Sequence, residues 1–168
     1  MITVGVDVGI TGAIAALNSD GTYREVRDLP IFRHGETHWV DATELLSMIR
    51  DMRDGQPARA VIEQIHGTPK MGVVTCTSMG LTLGSVLATM QIAGIGFELV
   101  KPAQWKKHFG LIMPKASDRE KKHASLCRAR QMYPTAPLER MKDNGRAEAL
   151  LIATYAMSLR YQIAKEAA

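Results

Sequence analysis

The sequence predicts one α/β domain built on a mixed five-stranded sheet flanked by helices. Three observations predict it. Three short strand-like segments joined by tight turns open the chain, which implies an antiparallel meander. Two later strand-like segments, Ala58–Glu63 and Gly96–Val100, each follow a helical stretch, which implies crossover connections and parallel pairing. The chain has 168 residues, 46% hydrophobic and 23% charged, with no repeat or break in composition, enough for one well-filled core over residues 1–168.

The first strand, residues 2–8, is β-branched and apolar apart from Thr3, Gly5 and Asp7. Gly9 and Gly12 permit a tight turn into Ala13-Ile-Ala-Ala-Leu17, and Asp20-Gly21 turns the chain again into Tyr23–Asp28. Residues 29–38 read as a loop. Asp41-Ala-Thr-Glu44 has capping-box form, and Leu45, Leu46, Met48, Ile49 and Met52 give the helix after it one apolar face to about Arg53. Residues 73–93 carry no charge, so this helix is expected to be buried on most sides, as the core helix or shared with a second subunit. Pro102 opens a short helix to Phe109, and Ser117 with Glu120 caps a basic helix to about Tyr133. A loop through Pro134 and Pro137 reaches Asn144, and residues 147–164 form the last helix.

No apolar run in the sequence reads as a membrane span, and no basic signal region precedes the first strand, so a soluble intracellular protein is expected. Cys76 and Cys127 have neither zinc-ligand nor disulfide spacing and read as small buried residues. Net charge is +4, but residues 101–130 alone carry +7 and the remainder −3. Such a segment suits either a solvated helix surface or a face that binds a polyanion.

A carboxylate at the end of a buried strand is costly unless something pairs with it, and Asp7 is in that position. Glu63 ends a second strand, so if the two strands are neighbours both acids reach one rim of the sheet. Asp143 and Glu148 lie near the start of the last helix. Five helical residues turn the chain by about 500°, so Asp143 must lie before the helix if both are to face one site, with Asn144-Gly145 allowing the bend. Carboxylates without Cys or His at ligand spacing suit Mg²⁺ or Mn²⁺, not zinc. Two such ions about 4 Å apart can clamp the attacking and leaving oxygens of a phosphodiester. Each acid also has a plain structural role open to it: Glu63 as partner of Arg59 or Lys70, Asp143 as a cap, Glu148 as a first-turn acid.

Val4-Gly-Val-Asp7-Val-Gly9, Ala60-Val-Ile-Glu63-Gln64 and Gly145-Arg-Ala-Glu148-Ala-Leu-Leu-Ile-Ala153, in this order, resemble the RuvC-type Holliday-junction resolvases, most closely their phage-like branch. Val100-Lys-Pro-Ala-Gln-Trp105-Lys-Lys-His-Phe-Gly-Leu111 and Lys115-Ala-Ser-Asp-Arg119 resemble that branch too. The resemblance implies a ribonuclease-H-like fold and a homodimer that nicks four-way DNA junctions with two Mg²⁺ or Mn²⁺ ions per active site. It implies no small-molecule cofactor and no membrane, and a place in the cytoplasm of a bacterial or phage-infected cell. The metal ligands would be Asp7, Glu63 and Glu148. Where bacterial members carry a further Asp this chain has Gly145, and Asp143 stands as the substitute fourth ligand. Lys106 and Lys115 would hold DNA, with Lys107 and Arg119 as further candidates. The loop before the uncharged helix would approach the junction centre, Lys70 meeting phosphate and Met71 wedging against an unstacked base. Part of the dimer interface is expected on that helix around Met79, Leu83 and Leu87.

Two other classes compete. An actin-like kinase or ATPase also opens with a strand and Asp-Xaa-Gly but needs a second lobe, for which 168 residues leave no room. A catalytically silent junction-binding dimer, or another ribonuclease-H-like nuclease acting on branched DNA or RNA–DNA hybrids, shares most of these features.

Overall fold

The structure is a computed structural model that describes residues 1–65, 67 and 71–166, with side chains to residue 159. Its main sheet holds β1 (Ile2–Asp7), β2 (Ala13–Leu17), β3 (Tyr23–Asp28), β6 (Ala58–Glu63) and β7 (Gly96–Val100), in the order β3-β2-β1-β6-β7. β1 pairs antiparallel with β2 and parallel with β6, β2 antiparallel with β3, and β6 parallel with β7, so the five-stranded mixed sheet is as expected. The register sets a rim: Asp7 lies opposite Ala13, Ala13 opposite Asp28, Val6 beside Ile62, and Glu63 beside Val100.

Each face of the sheet is covered. One carries α1 (Ala42–Arg53) and α2 (Val73–Ile92) over a core of Ile2, Val4, Val6, Ile14, Leu45, Ile49, Ile62, Val86 and Met90. The other carries α3 (Pro102–His108), α4 (Asp118–Met132) and α5 (Asn144–Glu166), packed around Trp105, Leu126, Leu138, Leu150 and Leu151. Asp41 caps α1 by accepting from the Thr43 and Glu44 amides, and Ser117 and Glu120 close a reciprocal box at α4.

Three expectations are corrected. Residues 29–38 are not a loop: β4 (Ile31–His34) and β5 (Thr37–Val40) form a hairpin about the two-residue turn Gly35–Glu36. Its apolar signal is short because only Ile31 and Val40 face the core. The last helix starts at Asn144, not at 147, because Asn144-Gly145 continues helically from a 3₁₀ turn at Met141–Asp143 instead of bending. Finally, α2 is not buried on most sides. Its 20 residues are long and apolar enough to cross a membrane, yet only 28% of its most apolar window is buried. Val73 is 82% and Ile92 70% exposed, while Thr82, Val86, Thr89 and Met90 alone are fully buried. Leu83 and Leu87 pack partly against the chain's own core; the free stripe is Thr77, Leu81, Gly84 and Ala88. The two cysteines are free and half-buried.

Candidate active site

β1 and β6 are hydrogen-bonded neighbours that end together, which brings Asp7 and Glu63 to one point on the rim. Glu148 joins them because α5 lies unusually close to β1. A Cβ at Gly5 would sit 2.3 Å from the Ala149 carbonyl oxygen, so only glycine lets the helix settle there. At Gly145 a Cβ would lie 2.3 Å from the Thr11 carbonyl oxygen and 3.3 Å from Asp7 Oδ2. The position faces the site, but contact between α5 and the turn after β1 leaves no room for a side chain, an acid included.

Two of the three carboxylates hold their protons above the usual carboxylate range. Asp7 is raised well above its ordinary value, first by burial, then by the charges of Glu148 and Glu63. Glu63, 8% exposed, is raised by burial and the charge of Glu148, against the opposing effects of Trp105 and Lys106. Asp7 and Glu63 face each other closely enough to influence one another's ionisation. Glu148 accepts from Ser125 Oγ at 2.9 Å and lies 3.6 Å from Lys106 Nζ. Lys106 in turn stands over the Trp105 ring, 4.9 Å from its centroid, and Trp105 Nε1–H donates to Glu63 Oε1 at 2.9 Å. Trp105, Ser125 and the inward aim of Lys106 are site features that the sequence reading missed. Only the first had a signal: a tryptophan expected in a core needs an acceptor for its N–H.

Asp143 lies in the 3₁₀ turn just before α5, as expected, with an arginine against it. Its carboxylate, 2% exposed, accepts from the Arg140 guanidinium at 2.7 and 3.0 Å and from the Arg140 amide at 2.7 Å. Burial works against ionisation, but these bonds and the Arg140 charge outweigh it and hold Asp143 below its ordinary value. The fourth acid therefore has a cation of its own, supplied by the 3₁₀ turn that precedes α5. Arg59, offered as a partner for Glu63, pairs with Glu98 instead.

Lys107, Lys115 and Arg119 are exposed, and none has a carboxylate within ion-pair distance among the described residues. Met71 is 37% exposed, just before α2. Lys70 lies outside the described residues.

Among the described residues the donors are oxygens, two of them raised by burial and neighbouring charge, with Lys106 beside Glu148, and this set fits a hard divalent ion. The fit is in chemistry more than in finished geometry. Among the described residues no three His, Cys, Asp or Glu side chains form a closed metal cage, and Glu148 is turned towards Ser125 and Lys106.

No protein-family model matches the sequence, and no curated protein matches it. Solved structures do match. The fold is similar to Thermus thermophilus RuvC in complex with a Holliday junction substrate, at TM-score 0.60 and 21% identity over 96% of each chain. It matches a second Thermus thermophilus RuvC structure at TM-score 0.55 and 21% identity, over 96% of this chain and 97% of that one. The yeast mitochondrial Holliday junction resolvase Ydc2 matches at TM-score 0.50 and 16% identity, over 97% of this chain and 80% of that one. At these identities what is shared is the fold, and the chain has the RuvC-like, ribonuclease-H-like fold over nearly its whole length.

Proposed function

We propose that this protein is a divalent-metal-dependent, structure-selective endonuclease that resolves four-way DNA junctions by paired symmetric nicks. One observation carries the reading: on a RuvC-like sheet, Asp7, Glu63 and Glu148 are brought to one rim, and burial, then the neighbouring carboxylate charges, raise the first two above their ordinary values. The structural relatives named as Holliday-junction resolvases support the substrate class.

Asp7, Glu63 and Glu148 would hold the cations, with the carboxyls of Asp7 and Glu63 ionised. Bound Mg²⁺ or Mn²⁺ would supply Lewis-acid stabilisation of the charge that develops on a phosphodiester. Lys106, beside Glu148, would be placed to meet the scissile strand's phosphate. Trp105 holds Glu63 through its N–H and excludes water behind it. Lys107, Lys115, Arg119, Lys70 and Met71 remain proposed DNA contacts, the cations holding backbone phosphates without reading sequence. Asp143 stays a candidate fourth ligand only if Arg140 releases it.

Paired nicks need two sites related by a two-fold axis, as the junction is. The free stripe of α2 supports a homodimer, since it leaves an uncharged helix face open to water in the single chain. The reading also places the protein in the cytoplasm of a bacterial or phage-infected cell. The test is cleavage of junction, flap, duplex and RNA–DNA hybrid substrates with and without Mg²⁺. Preferential metal-dependent cutting of the junction supports the proposal, and preferential cutting of the hybrid refutes it.

A further inference from the structure

The hairpin β4–β5 has two unlike faces. Ile31 and Val40 are paired across it and join the core under α1 and α2. The alternate positions, Phe32 paired with Trp39 and His34 paired with Thr37, point the other way. The Phe32 and Trp39 rings lie 5.2 Å apart and tilted, with His34 6.5 Å from Trp39. Phe32 is 45% exposed and His34 is exposed, so three rings form one outward surface with no other aromatic partner among the described residues. Only 5% of the chain is Phe, Trp or Tyr, and a ribbon that merely covered α2 would have no use for rings on its outer side.

The position of this surface identifies its occupant. β3 ends at Asp28, level with Ala13 and hence with Asp7, and the hairpin starts at Ile31 directly beyond it. The stem is fastened to that rim by Leu29 N–H to the Gly12 carbonyl, and Asp41 N–H to the Pro30 carbonyl closes the base of the hairpin. β5 also packs against α2, the helix that follows Glu63 and its loop. The hairpin therefore leaves the sheet at the strand ends where the carboxylates lie. Arg33, paired with His38 on the opposite face of the ribbon from the rings, is exposed, with no carboxylate within ion-pair distance among the described residues. Flat exposed rings match an exposed nucleobase, because stacking needs only a π-face.

We propose that the outer face of this hairpin is a stacking platform for an unpaired or terminal base at the branch point of the junction, with Phe32 and His34 in contact and Trp39 backing them. A continuous duplex has no such free base, so the platform favours branched over linear DNA. The inference rests on the junction reading above and adds to it how a branch is told from a duplex.

The experiment measures binding to a four-way junction and to a linear duplex in EDTA over a range of salt, for wild-type protein and for Phe32→Ala combined with His34→Ala. Junction affinity should fall about tenfold in the double variant, duplex affinity should not change, and the log–log salt slope should be preserved, because stacking releases no counterions. Phe32→Tyr should restore binding. 2-Aminopurine at the branch point should be quenched by wild-type protein and stay bright with the double variant. Equal junction affinity and equal quenching in both proteins overturns the platform while leaving the junction reading intact. Loss of self-association in the double variant assigns the face to a second copy and also overturns it. A wild-type protein with no preference for junctions removes the reading and the platform together.

Discussion

Trp105 donates its indole N–H to Glu63 at 2.9 Å across a sequence separation of 42 residues. The bond exists because Val100, the end of β7, lies beside Glu63, and α3 begins two residues later at Pro102. The tryptophan is wholly buried, so the carboxylate it holds is fixed from behind. Trp105→Phe keeps most of the apolar volume and removes the donor. We expect about a 10- to 100-fold fall in cleavage rate, as for other groups that orient metal ligands, and a loss of about 1–3 kcal/mol in stability from the unpaired acceptor. Single-turnover cleavage and thermal denaturation check both. Wild-type rate in this variant would show that Glu63 needs no support.

The raised pKa values of Asp7 and Glu63 predict an unusual pH dependence. A carboxyl whose folded-state pKa exceeds its unfolded value contributes its full stability below the ordinary carboxylate range and loses it as pH rises through the folded pKa. Metal-free protein should therefore lose Tm as pH climbs above about 4. Asp7→Asn should flatten that decline and raise Tm at neutral pH. Mg²⁺ should raise Tm more at high pH than at low, because protons compete with it for the same oxygens. A metal-free Tm that climbs across this window would contradict the burial and mutual repulsion of the cluster.

Gly145 predicts a failed repair. Restoring an acid with Gly145→Asp should not improve cleavage, because the new Cβ meets a backbone oxygen and the start of α5 must shift. The cost should be about 1–3 kcal/mol, as for other overpacked sites, and Gly145→Ala should cost much the same. A more active Gly145→Asp enzyme at unchanged Tm would show that α5 has slack.

Asp143 and Glu148 should separate cleanly. Glu148→Gln should abolish cleavage at near-normal Tm. Asp143→Asn should lower Tm, by about 1–3 kcal/mol in stability, through the loss of its bonds with Arg140, and should still cut. An inactive Asp143→Asn protein of normal Tm would return Asp143 to the ligand set.

Much of this architecture was legible in the chain, and the illegible parts have physical reasons. Val4 and Val6, Ala60 and Ile62, and the capping pairs at Asp41 and Ser117 mark their strands and helices by local pattern alone. The β4–β5 hairpin was hidden because its outer face carries aromatic rings where a polar alternation would normally mark a half-buried ribbon. The exposure of α2 was hidden because an apolar helix reads the same whether its own core or another molecule covers it. Asp7 and Glu63 were legible as strand-end acids. The pairing of Asp143 with Arg140 was not, since only the 3₁₀ turn at Met141–Asp143 brings the guanidinium back onto the acid.

The free face of α2 sets a prediction for assembly. Leu81 is 42% exposed and Gly84 beside it is open, so Leu81→Glu should leave the fold intact and abolish the proposed self-association. Sedimentation at micromolar concentration measures this, and coupled nicking of the two junction strands should be lost with it. Wild-type protein that runs as a clean 18.5 kDa monomer, with and without junction DNA, would refute paired sites.

The most direct test of the account is cleavage and binding of one four-way junction by wild-type protein, Asp7→Asn and Glu63→Gln, measured side by side with Mg²⁺ and with EDTA. The account predicts cutting by the wild type with Mg²⁺ only, a loss of more than about a thousandfold in each variant, and junction affinity within about threefold of wild type in all. Cutting by either variant at a rate near wild type would contradict it.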